Sequence, residues 1–304
     1  MAVVGRVTQG LLVSRQLSNL NRQLGRIAIL QEQLSTGLRV NRPSDDPIDA
    51  RRAISVRNSI ANNEQFLSNI SDVGPQLEES ASALLNLQDI LVRSLELTVQ
   101  AGSDTLSQEQ LDSIALEIDQ LLESAAAEAN HRTNNRSIFA GTATLADAFD
   151  VTRVGDQITD VTYAGNDQDI EINISDGVRT AINITGTEAF LSNVDVFDVL
   201  IGIRDDLLAG DQDSLRTTRL DELETAQEQT LFGVAKIGAI QNRVERVSGD
   251  LQDYNIQLEI LLSDKLDADY AETVLEMSVA ENAFIAALDA ASRVLQPNLL
   301  QFLR

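Results

Sequence analysis

The sequence predicts a mainly α protein with a β-rich insertion. It reads as a long antiparallel helix bundle whose first and last helices pair as a coiled coil, with a small outer β-domain between the two halves. Three observations predict it. Near both ends of the 304-residue chain, apolar residues recur at steps of three and four, the spacing of a coiled-coil seam. Over 136–184 the helical period disappears and strand-type alternation replaces it. Hydrophobic residues make up 43% of the chain but aromatic ones only 4%, with no tryptophan, so the core is built from aliphatic side chains, as in long bundles.

The elements follow in order. Val13, Leu17, Leu20, Leu24, Ile27 and Leu34 form the first seam, with Gln31 in the remaining slot. The helix gives way at STGLRVNRPSDDPIDA, residues 35–50. Gly37 sits where a helix ending near Thr36 needs a left-handed residue. Pro43 drives Arg42 toward an extended backbone. Asp46 suits the N-cap, Pro47 the first helical position, and Asp49 adds negative charge near the positive helix end. Helix is predicted over 47–73 and 75–101, with Gly74-Pro75 as a break or a restart. A turn at Gly102–Thr105 precedes a helix that starts near Ser107, with Gln110 completing a capping box, and runs to about Ala129.

Alternation over Ile170–Ile174, the turn pair Asp176-Gly177 and the run Val178–Ile184 predict a hairpin. Helix returns near Asp195, pauses at Gly210-Asp211 and continues over 214–263. After a break at 264–269, the last helix carries the second seam: Tyr270, Thr273, Met277, Ala280, Phe284, Ala287, Ala291 and Val294. Pro297 is expected to end it. A chain that leaves as helices and returns as helices brings its ends together. The expected division is therefore 1–40 with 266–304 as terminal coiled-coil segments, 41–139 with 193–265 as the helical bundle, and 140–192 as the insertion.

Charge excludes whole classes of function. A net charge of −24 and a pI near 4.2 repel nucleic acid and anionic membranes. Residues 1–60 run against this trend, with nine arginines and four acids. Such a basic arm either meets acidic surfaces of sister subunits or is a solvated helix face. There is no cysteine, hence no disulfide framework or thiol chemistry. No run of about 18 apolar residues is present, so no membrane insertion is expected. The opening MAVVGRVTQGLLVSRQL is not a cleavable signal peptide, which implies an export route, if any, that keeps the amino terminus.

The single histidine, His131, lies in a polar run beside Arg132 and reads as a loop or helix-end residue. Asp205-Asp206, Asp211-Gln212-Asp213 and Asn166-Asp167-Gln168-Asp169 lack the glycine and closing glutamate of a calcium loop and read as turns. No phosphate loop, zinc spacing or nucleophile elbow is present. The chain is expected to be no enzyme and to hold no cofactor or metal.

Energetics make the ends dependent on neighbours. Ordering a residue costs about 1–2 kcal/mol, whereas burying one large apolar side chain returns roughly 1.5–3 kcal/mol. Two thirty-residue ends sharing a dozen seam residues, several of them alanine, do not cover that cost in one subunit. The ends are therefore expected to be largely disordered in the free subunit and helical in the assembly, the alternative being a two-helix coiled coil already folded within the monomer.

Four segments carry a family resemblance. The turn with Gly37, Asn41, Arg42, Pro43, Asp45, Asp46 and Pro47 resembles the conserved turn of the bacterial flagellin superfamily, in the form of its hook-associated protein type 3 branch. Arg136–Gly141 resembles that family's exit from helix into the outer β-domain. Asp267–Glu272 resembles the opening of its terminal helix, and Leu295–Leu303 its terminus. The insertion, about 142–192, resembles nothing comparable.

The resemblance implies a flagellin-like fold and an axial structural protein of the bacterial flagellum, acting at the hook–filament junction. Implied partners are other copies of the chain, the preceding hook-associated junction protein, flagellin, an export chaperone and the flagellar type III export apparatus. The implied location is extracellular. Three other readings stay open at this point: a flagellin that forms the filament itself, a cytoplasmic coiled-coil adaptor or signalling module, and an acidic binding module whose insertion grips a ligand.

Overall fold

The structure, a computed structural model, describes residues 3–103 and 105–295. Helices α1 (Val3–Thr36), α2 (Pro47–Ala101) and α3 (Gln108–Ala129) come first. Strands β1 (Arg132–Thr133), β2 (Arg136–Ser137), β3 (Phe149–Val154), β4 (Gln157–Tyr163), β5 (Glu171–Ser175) and β6 (Val178–Ala181) follow. Helices α4 (Val196–Ala209), α5 (Gln212–Ser214), α6 (Leu220–Leu266) and α7 (Tyr270–Leu295) complete the chain. Single π-helical turns occur at Thr187–Leu191 and Leu215–Arg219. The chain divides into two compact units, one of residues 1–62 with 254–304 and one of residues 63–253.

The 63–253 unit holds the large core. Leu84, Leu87 and Leu91 of α2 meet Ile118 and Leu122 of α3, Ile203 of α4 and Leu223 of α6 in one buried cluster. Leu-rich positions three and four apart give each helix an apolar stripe, and burying the stripes against one another holds the helices together. Four buried phenylalanines, Phe139, Phe149, Phe190 and Phe197, join that cluster. Their nearest rings sit 5.1–5.6 Å apart, within the range of favourable ring contacts. Half of the chain's eight phenylalanines are thus spent on one spot beside the insertion. Arg204 is buried too, and donates to Asp119 at 3.1 Å and to the Ile158 carbonyl at 2.6 Å.

Local chemistry sets the ends of these helices. The Ser107 N–H donates to Gln110 Oε1 at 2.9 Å, as the capping-box spacing predicts. Asp195 caps α4 by accepting from the N–H groups of Phe197 and Asp198. Gly210 ends α4 with φ +72°.

The strands form three separate antiparallel hairpins, β1–β2, β3–β4 and β5–β6. Asn134 and Asn135 turn the first with φ of +51° and +63°, a conformation asparagine tolerates better than most residues. The sequence reading finds only the third hairpin. Gly141 follows the buried run Ile138-Phe139-Ala140. Its φ is +60°, and a Cβ there would lie 2.0 Å from the Asn166 carbonyl oxygen.

One expectation needs correcting. Gly74-Pro75 neither breaks nor restarts a helix, because α2 runs unbroken from Pro47 to Ala101 with Pro75 inside it. A proline removes one backbone donor, but Ile70, Val73 and Leu77 around it are buried, and their packing keeps the helix going. The expected stop at Pro297 lies outside the described residues.

Candidate functional site: the paired terminal helices and their elbow

In the unit of residues 1–62 and 254–304, α1 and α7 pair antiparallel. Ile27 and Leu30 of α1 bury against Ala280 of α7, with Met277 and Phe284 packed alongside. Arg26 reaches Glu276 at 3.2 Å, an exposed pair of little energetic weight. The helices are therefore formed and paired in the single chain, contrary to the expectation that they order only on assembly. The ties at the 37–50 elbow supply what the aliphatic seam lacks.

Those ties are numerous. Gly37 takes φ +73° and its N–H closes α1 by donating to Gln33 O at 2.8 Å. The Gly37 carbonyl then accepts from Ala268 N–H at 2.9 Å, and Arg39 N–H donates to Leu266 O at 2.6 Å. Leu38 and Asp267 thus form a short antiparallel bridge between the start and the end of the chain. Beneath it, Val40, Ala53 and Leu266 form a small buried cluster.

Side chains lock the same turn. Asp45 Oδ2 accepts from the N–H groups of Asn41 and Arg42 at 3.1 and 2.8 Å. Asp46 Oδ1 caps α2 by accepting from Ile48 and Asp49 N–H, both at 3.0 Å. The Asp49 N–H bond, more than any other contact, holds the Asp46 carboxyl below its ordinary pKa. The Arg39 guanidinium, which also donates to Asp49 at 2.7 Å and to Lys265 O at 2.7 Å, lowers it further. Asp269 caps α7, accepting from Ala271 and Glu272 N–H. Asp and Asn recur here because short acceptors satisfy the orphan donors at two helix starts.

The seam residues are not all equivalent. Ile27, Ala280 and Ala291 are buried, while Val13, Leu20, Leu34, Met277, Phe284 and Ala287 are half-buried. Leu17 and Leu24 stand 55% and 47% exposed, and Leu30, outside the expected seam, is 5% exposed. The intrachain face therefore runs Val13, Gln16, Leu20, Gln23, Ile27, Leu30 and Leu34, rotated by part of a turn from the expected stripe. The side chain of Val294 lies outside the described residues. On α7, Leu275, Val279 and Ile285 are each more than 60% exposed.

Among the described residues no group of three or more His, Cys, Asp or Glu side chains is placed to hold a metal. No described helix is long and apolar enough to cross a membrane. His131 faces Glu79 at 3.0 Å on an exposed surface. What the geometry offers is a hydrogen-bonded elbow after α1 and a pair of terminal helices that still show apolar side chains to solvent.

Comparison with known proteins points the same way. The family profile described as the bacterial flagellin N-terminal helical region matches residues 11–144. Flagellar hook-associated protein 3 of Salmonella typhimurium is 28% identical over 188 residues, 62% of this chain and 57% of that protein. The match thus spans little more than half the length of that relative. Flagellin of Bacillus subtilis is 29% identical over 90% of this chain and 91% of its own length. The crystal structure of Bacillus cereus FlgL superposes with a TM-score of 0.58 at 27% identity, covering 69% of this chain and 99% of that one. With the capped elbow and the paired ends in place in a helical chain of this pattern, the chain is similar to hook-associated protein 3 and to flagellin, and its residues 11–144 match the flagellin N-terminal helical region.

Proposed function

We propose that this chain is a structural axial protein of the flagellum that polymerises at the hook–filament junction and adapts the hook to the flagellin filament. One observation carries the assembly part of this reading. α1 and α7 are already paired at the elbow, yet Leu17, Leu24, Leu275, Val279 and Ile285 remain exposed. Covering each such side chain is worth roughly 1.5–3 kcal/mol, and a monomer has nothing to cover them with. The resemblance of the 41–47 turn to the hook-associated type 3 branch and the match to the Salmonella protein support the junction over other sites.

In this reading 1–40 and 266–304 are the terminal coiled-coil segments, 41–139 and 193–265 the bundle, and 140–192 the outward insertion. Val13, Leu17, Leu20, Leu24, Ile27, Leu34, Met277, Ala280, Phe284, Ala287, Ala291 and Val294 contribute to contacts among the terminal helices of adjoining copies. Gly37, Asn41, Arg42, Pro43, Asp45, Asp46 and Pro47 hold the elbow that aims those helices. The partners are other copies, the preceding hook-associated protein, flagellin, an export chaperone and the type III apparatus. The chain is extracellular, works without catalysis and needs no cofactor.

A second reading, a flagellin filament subunit, is favoured by the near full-length match to Bacillus subtilis flagellin. Immunogold electron microscopy of intact appendages separates the two. Label confined to a band between hook and filament supports the junction, and label along the whole filament selects the flagellin reading. Label found only in the cytoplasm refutes both.

A further inference from the structure

One cavity of the 63–253 unit gathers polar groups that the fold leaves unused. It has a volume of about 400 Å³ and opens between α2 near Pro75, the β1–β2 hairpin and the open end of the β5–β6 hairpin, a size suited to a small molecule. Val73, Ile138, Ile170 and Ile182 give it aliphatic walls. On the hairpin side stands Arg136, whose guanidinium has no hydrogen bond or ion pair among the described residues. Every other arginine from residue 63 to residue 219 sits in an ion pair, so this one is an exception. Ser137 and Thr133 share its wall. Ser137 is 2% exposed, and neither hydroxyl finds a hydrogen-bond partner, as buried polar groups normally do.

The opposite side carries the other sign. Asp72 of α2 lines the cavity and makes no side-chain hydrogen bond or ion pair among the described residues, with Arg136 or with any other group. Pro75, inside the same helix, has no N–H, so the Ser71 carbonyl four residues earlier lacks its helical donor. One wall thus offers donors and a positive charge, the other acceptors and a negative charge, with aliphatic surface between them.

We propose that this cavity binds a free α-amino acid with an aliphatic side chain. Arg136 holds the carboxylate, whose two oxygens match the guanidinium fork. Asp72 and the Ser71 carbonyl accept from the ammonium, and the side chain lies against Val73, Ile138 and Ile182. A bare organic anion fits less well, because the chain's net charge of −24 repels it. A bare amine leaves Arg136 without a partner. The zwitterion is neutral overall and uses both walls, and nothing in the site depends on how copies assemble.

The test titrates L-leucine into the full chain by isothermal calorimetry at pH 7. The comparators are 4-methylpentanoate, which lacks the ammonium, and 3-methylbutylamine, which lacks the carboxylate. Leucine should saturate a single site, and each comparator should bind at least about tenfold more weakly. Arg136→Gln and Asp72→Asn, both at exposed positions, should each weaken leucine binding at least about tenfold and leave the urea midpoint unchanged. Arg243→Gln removes another unpaired, exposed arginine outside the cavity and should leave leucine binding as it is. Absence of saturable leucine binding up to about 10 mM would overturn the inference. So would affinity unchanged by either cavity substitution, a comparator that binds as well as leucine, or an equal loss in Arg243→Gln.

Discussion

Replacing Gly141 by alanine tests whether the Arg136–Gly141 segment is retained for packing. Gly141 has φ +60°, and an added Cβ would lie 2.0 Å from Asn166 O, 2.4 Å from Asn166 Oδ1 and 2.9 Å from Asn166 C. Relief needs Asn166 to retreat by roughly 1 Å, since carbon–oxygen contacts normally stay beyond about 3 Å. That residue cannot move freely. Its carbonyl accepts from Tyr163 Oη at 2.8 Å, its Oδ1 accepts from Thr142 N–H at 3.0 Å, and its N–H donates to Ala140 O at 3.2 Å. Losing two of these bonds costs about 1 kcal/mol each, and the left-handed backbone adds about 1–2 kcal/mol. The expected destabilisation is about 3–4 kcal/mol. Gly155→Ala is the control, because its φ is +68° but no atom lies within 4 Å of the added Cβ, so only the backbone cost of about 1–2 kcal/mol remains. Hydrogen exchange of the β3–β4 amides, read as a free energy of opening, reports both. If Gly141→Ala costs no more than Gly155→Ala, the packing argument fails.

Three further outcomes are expected. Asp46 has a depressed pKa in the fold, so its stabilisation is fully present above the ordinary value of 3.8 and is lost as pH falls through the lowered one. Amide exchange at Ile48 and Asp49 should therefore quicken below about pH 4 relative to neighbouring helix amides, and Asp46→Asn should remove that change. Arg204→Ala strands the buried Asp119 carboxylate and should cost about 3–5 kcal/mol in urea unfolding, whereas Asp119→Leu with Arg204→Met should recover most of it. Leu30→Ala should cost about 2–5 kcal/mol of local α1–α7 stability by exchange in the free chain. Leu24→Ala should leave that stability within about 0.5 kcal/mol and act only on the critical concentration for assembly.

The elbow was legible almost atom by atom because its chemistry is local. A left-handed glycine after a helix, a proline at a helix start and an aspartate before it each have one good conformational use, and Gly37, Pro47 and Asp46 occupy those places. The two missed hairpins had weaker local marks. The first is only two residues per strand and turns on Asn134-Asn135, which read equally as a polar loop. The second turns on Gly155-Asp156, but β3 and β4 point mostly polar residues outward, and Phe149, Ile158 and Val161 alone mark the buried side. Pro75 misled for the opposite reason. A local rule spoke clearly, and burial of Ile70, Val73 and Leu77 on either side overrode it.

The seam phase shows where local reading must fail in a protein that assembles. A heptad search follows the most apolar line along α1, through Leu17 and Leu24. The single chain instead packs the line through Gln16, Gln23 and Leu30, and leaves Leu17 and Leu24 open. A monomer in isolation would gain by rotating α1 to bury both leucines. The elbow forbids this: the bonds from Gly37 and Arg39 to residues 265–268 fix the helix's rotation at its end. A joint with so many hydrogen bonds holds the greasier face outward, and in the proposed reading that face is the one a second copy covers.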